Sequence, residues 1–333
     1  MNMRVGTMPH GKRNLITDVP GVRVGHCTVD DEACHTGVTV VLPPPANPFL
    51  HKLTAASQVF NGYGKTLGLV QVDELGTLET PIALTNTLNV GKVHDALVSY
   101  MVELCARDGV SLTSVNPVVC ECNDSRVSDI ARRPVGEKEV RAAIASASED
   151  FAQGAVGAGR GTTCYGMKGG VGSSSRLMEI DGQTFTLGVL VQSNYGASAD
   201  FRAACLPEGL AESDQGSIIL IVATDLPLSS RQLKRVLRRT SVGMARLGSY
   251  IGHGSGEIAV GFTTAPLEGR GDSFLSQTVL REDKMNVPFR AAGECAEEAI
   301  LQSMWHAAPD TARDGSRIPS LREYLTEKEE SEK

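Results

Sequence analysis

The chain has 333 residues, of which 41% are hydrophobic, and its formal net charge is -7. This length and hydrophobic content predict a large buried core, arranged as one big domain or two ordinary ones. The acidic balance leaves no basic face for polyphosphate, so nucleic acid is not expected as a partner.

The apolar segments are too short for a membrane. The longest strongly apolar run, residues 218–223, is far below the length that crosses a bilayer and predicts a buried strand. Residues 1–20 contain no continuous apolar stretch of the kind that a signal peptide needs. We therefore expect a cytoplasmic protein without a membrane partner.

The eight cysteines are scattered, and Cys120 and Cys122 form the one close pair. Alternate residues of a strand share a face, so this pair is compatible with a metal ion, but no second pair lies at zinc-ligand spacing. We expect free thiols in a reducing cytoplasm and no metal site.

Strand patterns run through the chain and are punctuated by glycine. They are predicted at residues 21–26, 37–42, 81–87, 115–121, 185–191, 218–223 and 258–264. An Asp181-Gly182 turn predicts a hairpin into the strand at 185–191.

Helical spacing of apolar residues predicts the helices. These are 91–106, 137–153, 231–246 and 288–306, with a polar loop at 268–283 and an acidic, disordered tail at 325–333. The basic residues of the third helix are typical of a solvated helix face. Since no repeat or linker divides the chain, we expect one domain of mixed sheets with helices outside.

Two glycine-containing stretches approach nucleotide-binding motifs without completing them. Residues 59–66 end in Gly-Lys-Thr, but position 59 is valine where the first glycine of a phosphate loop belongs. Residues 154–161 follow a helical pattern instead of a strand, and their spacing stops short of GxGxxG. A nucleotide cofactor is therefore not expected.

Familiar hydrolase motifs such as HExxH and GxSxG do not occur. Among the seven histidines His253, beside a glycine turn, is best placed for catalysis, although a turn or structural role is favoured.

The dipeptide Gly248-Ser249 lies where a predicted helix ends and a strand follows. A serine hydroxyl needs a base, and a serine at a chain terminus can use its own α-amine, whose pKa of about 7.7–8.0 suits neutral pH. Cleavage before Ser249 would expose this amine, and Gly248 has no Cβ to hinder a strained backbone. Alone, however, Gly-Ser is common and predicts an ordinary helix stop.

Six stretches occur in an order typical of one enzyme family. They are residues 14–26 (NLITDVPGVRVGH), 36–40 (TGVTV), 117–121 (PVVCE), 168–172 (KGGVG), 190–196 (LVQSNYG) and Gly248-Ser249. Together they resemble the L-aminopeptidase/D-esterase family, also called the β-peptidyl aminopeptidase group, whose members are N-terminal nucleophile hydrolases. The resemblance runs from about Asn14 to Leu321.

The resemblance implies an α+β fold, a four-layer αββα sandwich, made as a precursor and self-cleaved into chains 1–248 and 249–333 that stay together. Such enzymes release N-terminal residues from short peptides, amides or esters that carry a free amino group, and some accept D- or β-aminoacyl groups. They use no metal or organic cofactor, and relatives are usually homo-oligomers.

The resemblance also assigns roles to particular residues. Ser249 matches the nucleophile, and Gly248 matches the residue before the cleaved bond. Asn194 matches the amide donor to the oxyanion, and Glu121 matches the acid that binds the amino group of the substrate. Asn123 and Ser128 differ from the aromatic residue and the asparagine of relatives, so the substrate pocket is expected to differ.

The last helix departs from the pattern of relatives. A hydroxyl residue followed two places later by glutamate supports the nucleophile there, whereas the aligned positions here are Ala296 and Glu298. A register shift would instead use Cys295 with Glu297. Because adjacent helical residues point about 100° apart, only one glutamate can face Ser249, and Glu298 is favoured over Glu297.

Two other functions remain open. One is acyl transfer to another amine, or hydrolysis of ω-amino-acid oligomers, on the same fold. The other is a non-catalytic binding protein, which the missing hydroxyl at Ala296 would suit.

Overall fold

The computed structural model describes residues 5–44, 46–202, 215–270 and 273–331. Within these ranges the strands are β1 (Arg23–Asp30), β2 (His35–Leu42), β3 (Leu53–Gly62), β4 (Thr77–Leu78), β5 (Ile82–Asn86), β6 (Val118–Cys122), β7 (Thr163–Cys164), β8 (Met167–Lys168), β9 (Gly170–Ile180), β10 (Gln183–Asn194), β11 (Gln215–Thr224), β12 (Gly254–Thr263), β13 (Glu268–Arg270), β14 (Phe274–Ser276), β15 (Asp310–Thr311) and β16 (Arg317–Ile318). The helices are α1 (Leu69–Leu75), α2 (Val90–Arg107), α3 (Glu137–Ala145), α4 (Ser230–Leu237), α5 (Thr240–Arg246), α6 (Asn286–Trp305) and α7 (Leu321–Ser331). No helix in the described ranges is both long enough and apolar enough to cross a bilayer.

Two sheets organise these elements. The smaller sheet has the strand order β1-β2-β5-β6, and the larger has the order β4-β3-β12-β11-β10-β9. Strands β11 and β12 are parallel and are joined through α4 and α5, the long crossover that a parallel pair requires. Strands β11 and β12 therefore begin at the same end of the larger sheet, and the antiparallel strand β10 ends there.

Apolar side chains on both faces of each sheet produce four layers. The sheets pack face to face through residues that include Val24 and Leu84 of the smaller sheet and Leu190 and Ile221 of the larger. The outer face of the smaller sheet packs on α2 and α3, and that of the larger sheet packs on α4, α5 and α6. This confirms the αββα sandwich.

The helix predicted at 137–153 is shorter than expected and ends at Ala145. Beyond it, Ser148 exchanges two backbone hydrogen bonds with Val24, at 3.0 and 3.1 Å. Because Val24 lies on the edge strand β1, the chain leaves the helix to pair with the sheet.

The helix predicted at 231–246 is divided into α4 and α5. At the junction the Thr240 hydroxyl donates to the carbonyl of Leu237 at 2.8 Å. After the break, α5 packs so closely on α6 that a Cβ on Gly243 would lie 2.4 Å from the backbone nitrogen of Glu297. Glycine therefore fixes the approach of these two helices.

The expected polar loop at 268–283 contains the β13–β14 hairpin. Strand β3 was not predicted, because residues 53–62 lack a regular alternation of apolar residues.

Within the tail that is expected to be disordered, residues 325–333, α7 extends to Ser331. Its first turn is capped reciprocally by Ser320 and Glu323, with bonds of 3.0 and 3.2 Å. Tyr324 and Leu325 then pack against the core. Residues 332 and 333 lie outside the described ranges.

Candidate active site

The candidate site lies at the end of the larger sheet at which β10 ends and β11 and β12 begin. Asn194, the last residue of β10, pairs with Ser217, and Ser217 pairs with Gly256. Glu121, near the end of β6 in the smaller sheet, reaches the same region, because its Oε1 would lie 3.6 Å from a Cβ on Gly64. The two sheets therefore contribute facing residues.

An open cavity of about 640 Å³ occupies this end of the sheet. It is lined by Tyr63, Lys65, Thr87, Glu121, Asn123, Ser125, Arg126, Thr163, Gly166, Asn194, Tyr195, Gly196, Ala197, Ser198, Gly216, Ser217 and Gly254. Its volume suits a short peptide or an aminoacyl amide. Glu121 and Asn194, predicted from distant parts of the sequence, thus line one cavity.

Glu121 is a buried carboxylate held by two hydrogen bonds. Its Oε1 accepts from the backbone N–H of Lys65 at 2.9 Å, and its Oε2 accepts from the Thr87 hydroxyl. Only 3% of the residue is exposed. A carboxylate in this setting attracts a cation from a ligand, because charge-assisted hydrogen bonds are stronger away from water.

Asn194 is also buried, and its amide is oriented by the backbone. Its Oδ1 accepts from the N–H of Thr163 at 3.0 Å. Since the N–H can only donate, this bond identifies the oxygen and makes the other branch of the amide the Nδ2 donor. Asn194 lines the cavity, so this donor suits an oxyanion that forms there.

The Gly248-Ser249 dipeptide forms the end of α5. The N–H of Gly248 donates to Ala245 and that of Ser249 donates to Met244, each at 3.1 Å, which is the Schellman pattern. Gly248 has a φ of +107°, and a Cβ there would lie 1.7 Å from the carbonyl oxygen of Asp200. The helix stop and the candidate cleavage site are therefore the same structure.

Ser249 is 8% exposed, and its Oγ accepts from the N–H of Ile251 at 3.2 Å. It does not belong to the lining of the cavity. The wall formed by Gly196 and Ser198 continues into Asp200, which contacts Gly248. Cleavage would release Ser249 from the helix end next to this wall.

The structure does not bring Glu298 to this site. Its carboxylate pairs with Arg176 at 2.7 Å and accepts from the Asn14 side chain at 2.7 Å. Arg176 is in register with Leu187, seven residues before Asn194 on β10, which is about 23 Å along a strand. Glu298 is therefore held by Arg176 of β9 and by Asn14, and neither of these partners lines the cavity.

Glu297 lies on the other side of α6, towards α5. Its carboxylate pairs with Arg246 at 2.9 Å and is partly exposed. This contact is two residues before Gly248, so Glu297 is the glutamate nearer to the candidate cleavage site along α5. Ala296 is buried against Gly243 of α5.

Three residues of the site were missed by sequence reasoning. Thr87 and Lys65 hold Glu121, and Thr163 orients Asn194. Two of these bonds come from backbone N–H groups, which leave no signal in the side-chain pattern.

A buried polar cluster lies behind the cavity wall. Asp124 is fully buried between the lining residues Asn123 and Ser125, and the Asn86 amide donates to both of its carboxylate oxygens at 3.1 Å. Burial raises the pKa of Asp124 to about 6, while these hydrogen bonds oppose the shift. The cluster joins the ends of β5 and β6 beneath Glu121.

The chain is similar to known proteins over most of its length. The sequence model of peptidase family S58 matches residues 14–318. The β-peptidyl aminopeptidase BapA of Sphingosinicella microcystinivorans is 36% identical over 346 residues, covering 93% of this chain and 86% of the relative.

Two solved structures are similar over almost the whole chain. The PH0078 protein from Pyrococcus horikoshii OT3 has a TM-score of 0.91 at 42% identity, covering 98% of this chain and 96% of that one. The L-aminopeptidase D-Ala-esterase/amidase from Ochrobactrum anthropi, described as a serine aminopeptidase with a variant of the Ntn hydrolase fold, has a TM-score of 0.86 at 33% identity, with 96% of both chains covered.

The fold is therefore that of the N-terminal nucleophile hydrolases. Within this class the chain belongs to peptidase family S58.

Proposed function

We propose that this chain, an aminopeptidase, cleaves its own Gly248-Ser249 bond and then uses Ser249 to release N-terminal residues from short substrates that carry a free amino group. One observation carries the proposal: a buried carboxylate, Glu121, and an oriented amide, Asn194, line a single cavity beside Ser249. The first matches a substrate ammonium and the second an oxyanion.

The proposed self-cleavage is an N-to-O acyl shift. The Ser249 Oγ attacks the Gly248 carbonyl carbon, the C–N bond breaks, and the proton of the hydroxyl passes to the released nitrogen. Water then hydrolyses the ester, which leaves a carboxylate on Gly248 and an α-amine on Ser249. Glycine suits the position before the cleaved bond, because it adopts this positive φ without the clash that a Cβ would make with the Asp200 carbonyl.

Substrate hydrolysis would use the same hydroxyl. Glu121 binds the substrate ammonium, and the α-amine of Ser249 removes the proton of Oγ as the oxygen attacks the substrate carbonyl. Asn194 Nδ2 donates to the oxyanion as its charge develops. The protonated amine then gives its proton to the leaving group, and water hydrolyses the acyl-enzyme.

We include β-aminoacyl and D-aminoacyl groups in the proposed substrate class, since relatives are named for β-peptidyl aminopeptidase and D-Ala-esterase activities.

We also propose that the protein is a homo-oligomer and that it is located in the cytoplasm. Phe274 and Leu275, on the β13–β14 hairpin, are each more than 70% exposed and suit a contact between copies. Six cysteines of the described chain are free thiols, which suits a reducing compartment; they are Cys27, Cys34, Cys105, Cys120, Cys122 and Cys295. Light scattering of the purified protein measures the oligomeric state.

Intact-mass measurement under denaturing conditions tests the cleavage. We expect two chains that divide between residues 248 and 249, and a single uncut chain for Ser249→Ala. A parent protein that stays uncut in every preparation would contradict the proposal. Turnover of L-, D- and β-aminoacyl p-nitroanilides, with and without an added amine, then defines the substrate and separates hydrolysis from acyl transfer.

A further inference from the structure

A fully buried lysine, Lys168, lies behind the candidate oxyanion donor. Lys168 is the last residue of β8 and pairs with Thr163 of β7. Its Nζ donates to the carbonyl of Thr162 at 2.8 Å and to those of Gly159 and Gly169 at 3.4 Å each. Its described hydrogen-bond partners are thus three neutral carbonyl oxygens.

The peptide between Thr162 and Thr163 links this ammonium to Asn194. The carbonyl of that peptide accepts from Lys168, and the N–H of the same peptide donates to Asn194 Oδ1 at 3.0 Å. A cation at the oxygen of a peptide withdraws electrons from it and makes its N–H a stronger donor. The Asn194 amide is polarised in the same direction, so its Nδ2 also becomes a stronger donor.

We propose that Lys168 is a positioning residue for the hydrolytic reaction, which orients and polarises Asn194 through the Thr162–Thr163 peptide. The inference rests on the proposed role of Asn194 as the oxyanion donor. The relay ends at the cavity, whereas the ammonium itself is 0% exposed and does not reach the substrate. We therefore expect Lys168 to contribute to kcat, because its effect on Asn194 matters when negative charge develops on the substrate oxygen.

The chemistry around Lys168 favours such a role over a purely structural one. Burying an ammonium without a paired carboxylate is unfavourable, and a neutral side chain would fill the same space at lower cost. Burial accordingly lowers the pKa of Lys168 to about 7, with the charges of Asp310, Arg160, Asp124 and Asp30 acting on it from neighbouring elements. Lys168 therefore carries its positive charge in part of the molecules at neutral pH, and its shortest hydrogen bond applies that charge to the Thr162–Thr163 peptide.

The test compares Lys168→Gln, which keeps an N–H donor without the charge, and Lys168→Met, which keeps neither. Rates are divided by the amount of cleaved, folded enzyme. We expect kcat to fall by about 10-fold with KM nearly unchanged. This loss is smaller than the roughly 10²–10³-fold loss in kcat that follows removal of a whole oxyanion donor. Lys92→Gln is the matched control, because Lys92 also donates to a carbonyl, that of Arg133, but on an exposed surface.

A double-mutant cycle with Asn194→Ala separates positioning from general structure. If Lys168 acts through Asn194, its substitution has little further effect on kcat in the Asn194→Ala background. Equal and additive effects in both backgrounds would overturn the proposal. If Asn194→Ala alone leaves kcat unchanged, the oxyanion role in the proposed function fails instead.

Inhibition provides a second measurement. An aminoaldehyde that forms a hemiacetal with Ser249 places its oxygen in the oxyanion position, so we expect it to bind about 10-fold more weakly to Lys168→Gln than to the parent. The free amino acid product should bind to the variant and to the parent with the same affinity. Equal weakening of both ligands would contradict the proposal. Failure of both variants to fold would assign Lys168 to the stability of the β7–β8 hairpin and would also overturn it.

Discussion

Gly248 and Asp200 are in direct backbone contact: the position of a Cβ on Gly248 lies 1.7 Å from the carbonyl oxygen of Asp200. Asp200 ends the short 3₁₀ helix Ser198–Asp200, and Ser198 lines the cavity. The candidate cleavage site is therefore held against the wall of the candidate substrate site, so glycine at position 248 serves both the helix end and this contact.

Gly248→Ala should impair both stability and cleavage. An alanine at positive φ costs about 1–2 kcal/mol, and the clash with Asp200 adds to this and displaces the scissile peptide. We expect the free energy of unfolding to fall by more than that amount and the uncut chain to accumulate. Denaturant unfolding of the uncut chain and a time course of intact mass measure the two effects.

Gly109→Ala is the control for this substitution. Gly109 ends α2 in the same pattern, with N–H bonds from Gly109 and Val110 to the last turn, and has a φ of +73°. No neighbouring atom would lie within 4 Å of a Cβ there. Cleavage of Gly248→Ala at the parental rate, with a stability loss no larger than that of Gly109→Ala, would contradict the role of the contact.

Glu121→Gln should weaken recognition of the amino group. The amide keeps an acceptor for the Lys65 N–H but loses the charge that attracts an ammonium. A hydrogen bond to a charged group contributes about 1.5–3 kcal/mol, so we expect kcat/KM to fall by roughly 10- to 100-fold. Steady-state kinetics on an aminoacyl ester measure this fall.

The control for Glu121→Gln is the substrate itself. An ester in which hydroxyl replaces the amino group has no ammonium to bind, so its hydrolysis should differ little between parent and variant. An equal loss on both esters would show that Glu121 acts in another way.

The Glu298 prediction illustrates what sequence reasoning leaves open. The resemblance aligns Glu298 correctly within a helix, but which face of α6 meets which sheet edge depends on how α5 and α6 pack. That packing is set by Gly243, which brings its helix against the backbone of Glu297. In this packing Glu298 pairs with Arg176, whereas Glu297 pairs with Arg246 of α5.

Other parts of the fold were predictable for a clear physical reason. The run at 218–223 is apolar on both faces, because β11 lies in the interior of a sheet that is covered on both sides. The end of α3 was not predictable, because Ser148 leaves the helix to pair with Val24 across a long sequence separation. The hydrogen bonds that orient Glu121 and Asn194 likewise come from backbone groups of other segments.

Glu298→Ala should reduce stability and leave catalysis intact. It removes one partner of the buried Arg176, which keeps Glu294 at 3.1 Å. Breaking a buried ion pair costs about 3–5 kcal/mol, and the remaining partner places the expected loss at the lower end of this range. Thermal and denaturant unfolding measure the loss, and kcat for folded, cleaved enzyme should stay within about twofold of the parent.

Glu297→Ala provides the comparison, because its partner Arg246 is half exposed. An exposed pair contributes about 0–1 kcal/mol, so its loss should be small. A large fall in kcat for Glu298→Ala without a loss of stability would restore the catalytic role that the sequence predicts for Glu298.

His26 should make stability depend on mildly acidic pH. Burial lowers its pKa to about 4, and its ring nitrogens bond to the Thr39 hydroxyl at 2.8 Å and the Ala152 carbonyl at 3.1 Å. The unfolded chain binds a proton on His26 near pH 6.5, whereas the folded chain does not until about pH 4. The free energy of unfolding should therefore fall as the pH falls through this window, by at most about 3 kcal/mol.

Asp124 acts in the opposite direction. Its folded pKa of about 6 lies above the ordinary aspartate pKa of 3.8, so the folded chain binds more protons between these values and gains stability as the pH falls. The difference between the parent and His26→Gln isolates the histidine, since Asp124 contributes equally to both. Denaturant unfolding from pH 7 to pH 4 should give a shallower loss for His26→Gln, and identical slopes would exclude His26 as the titrating group.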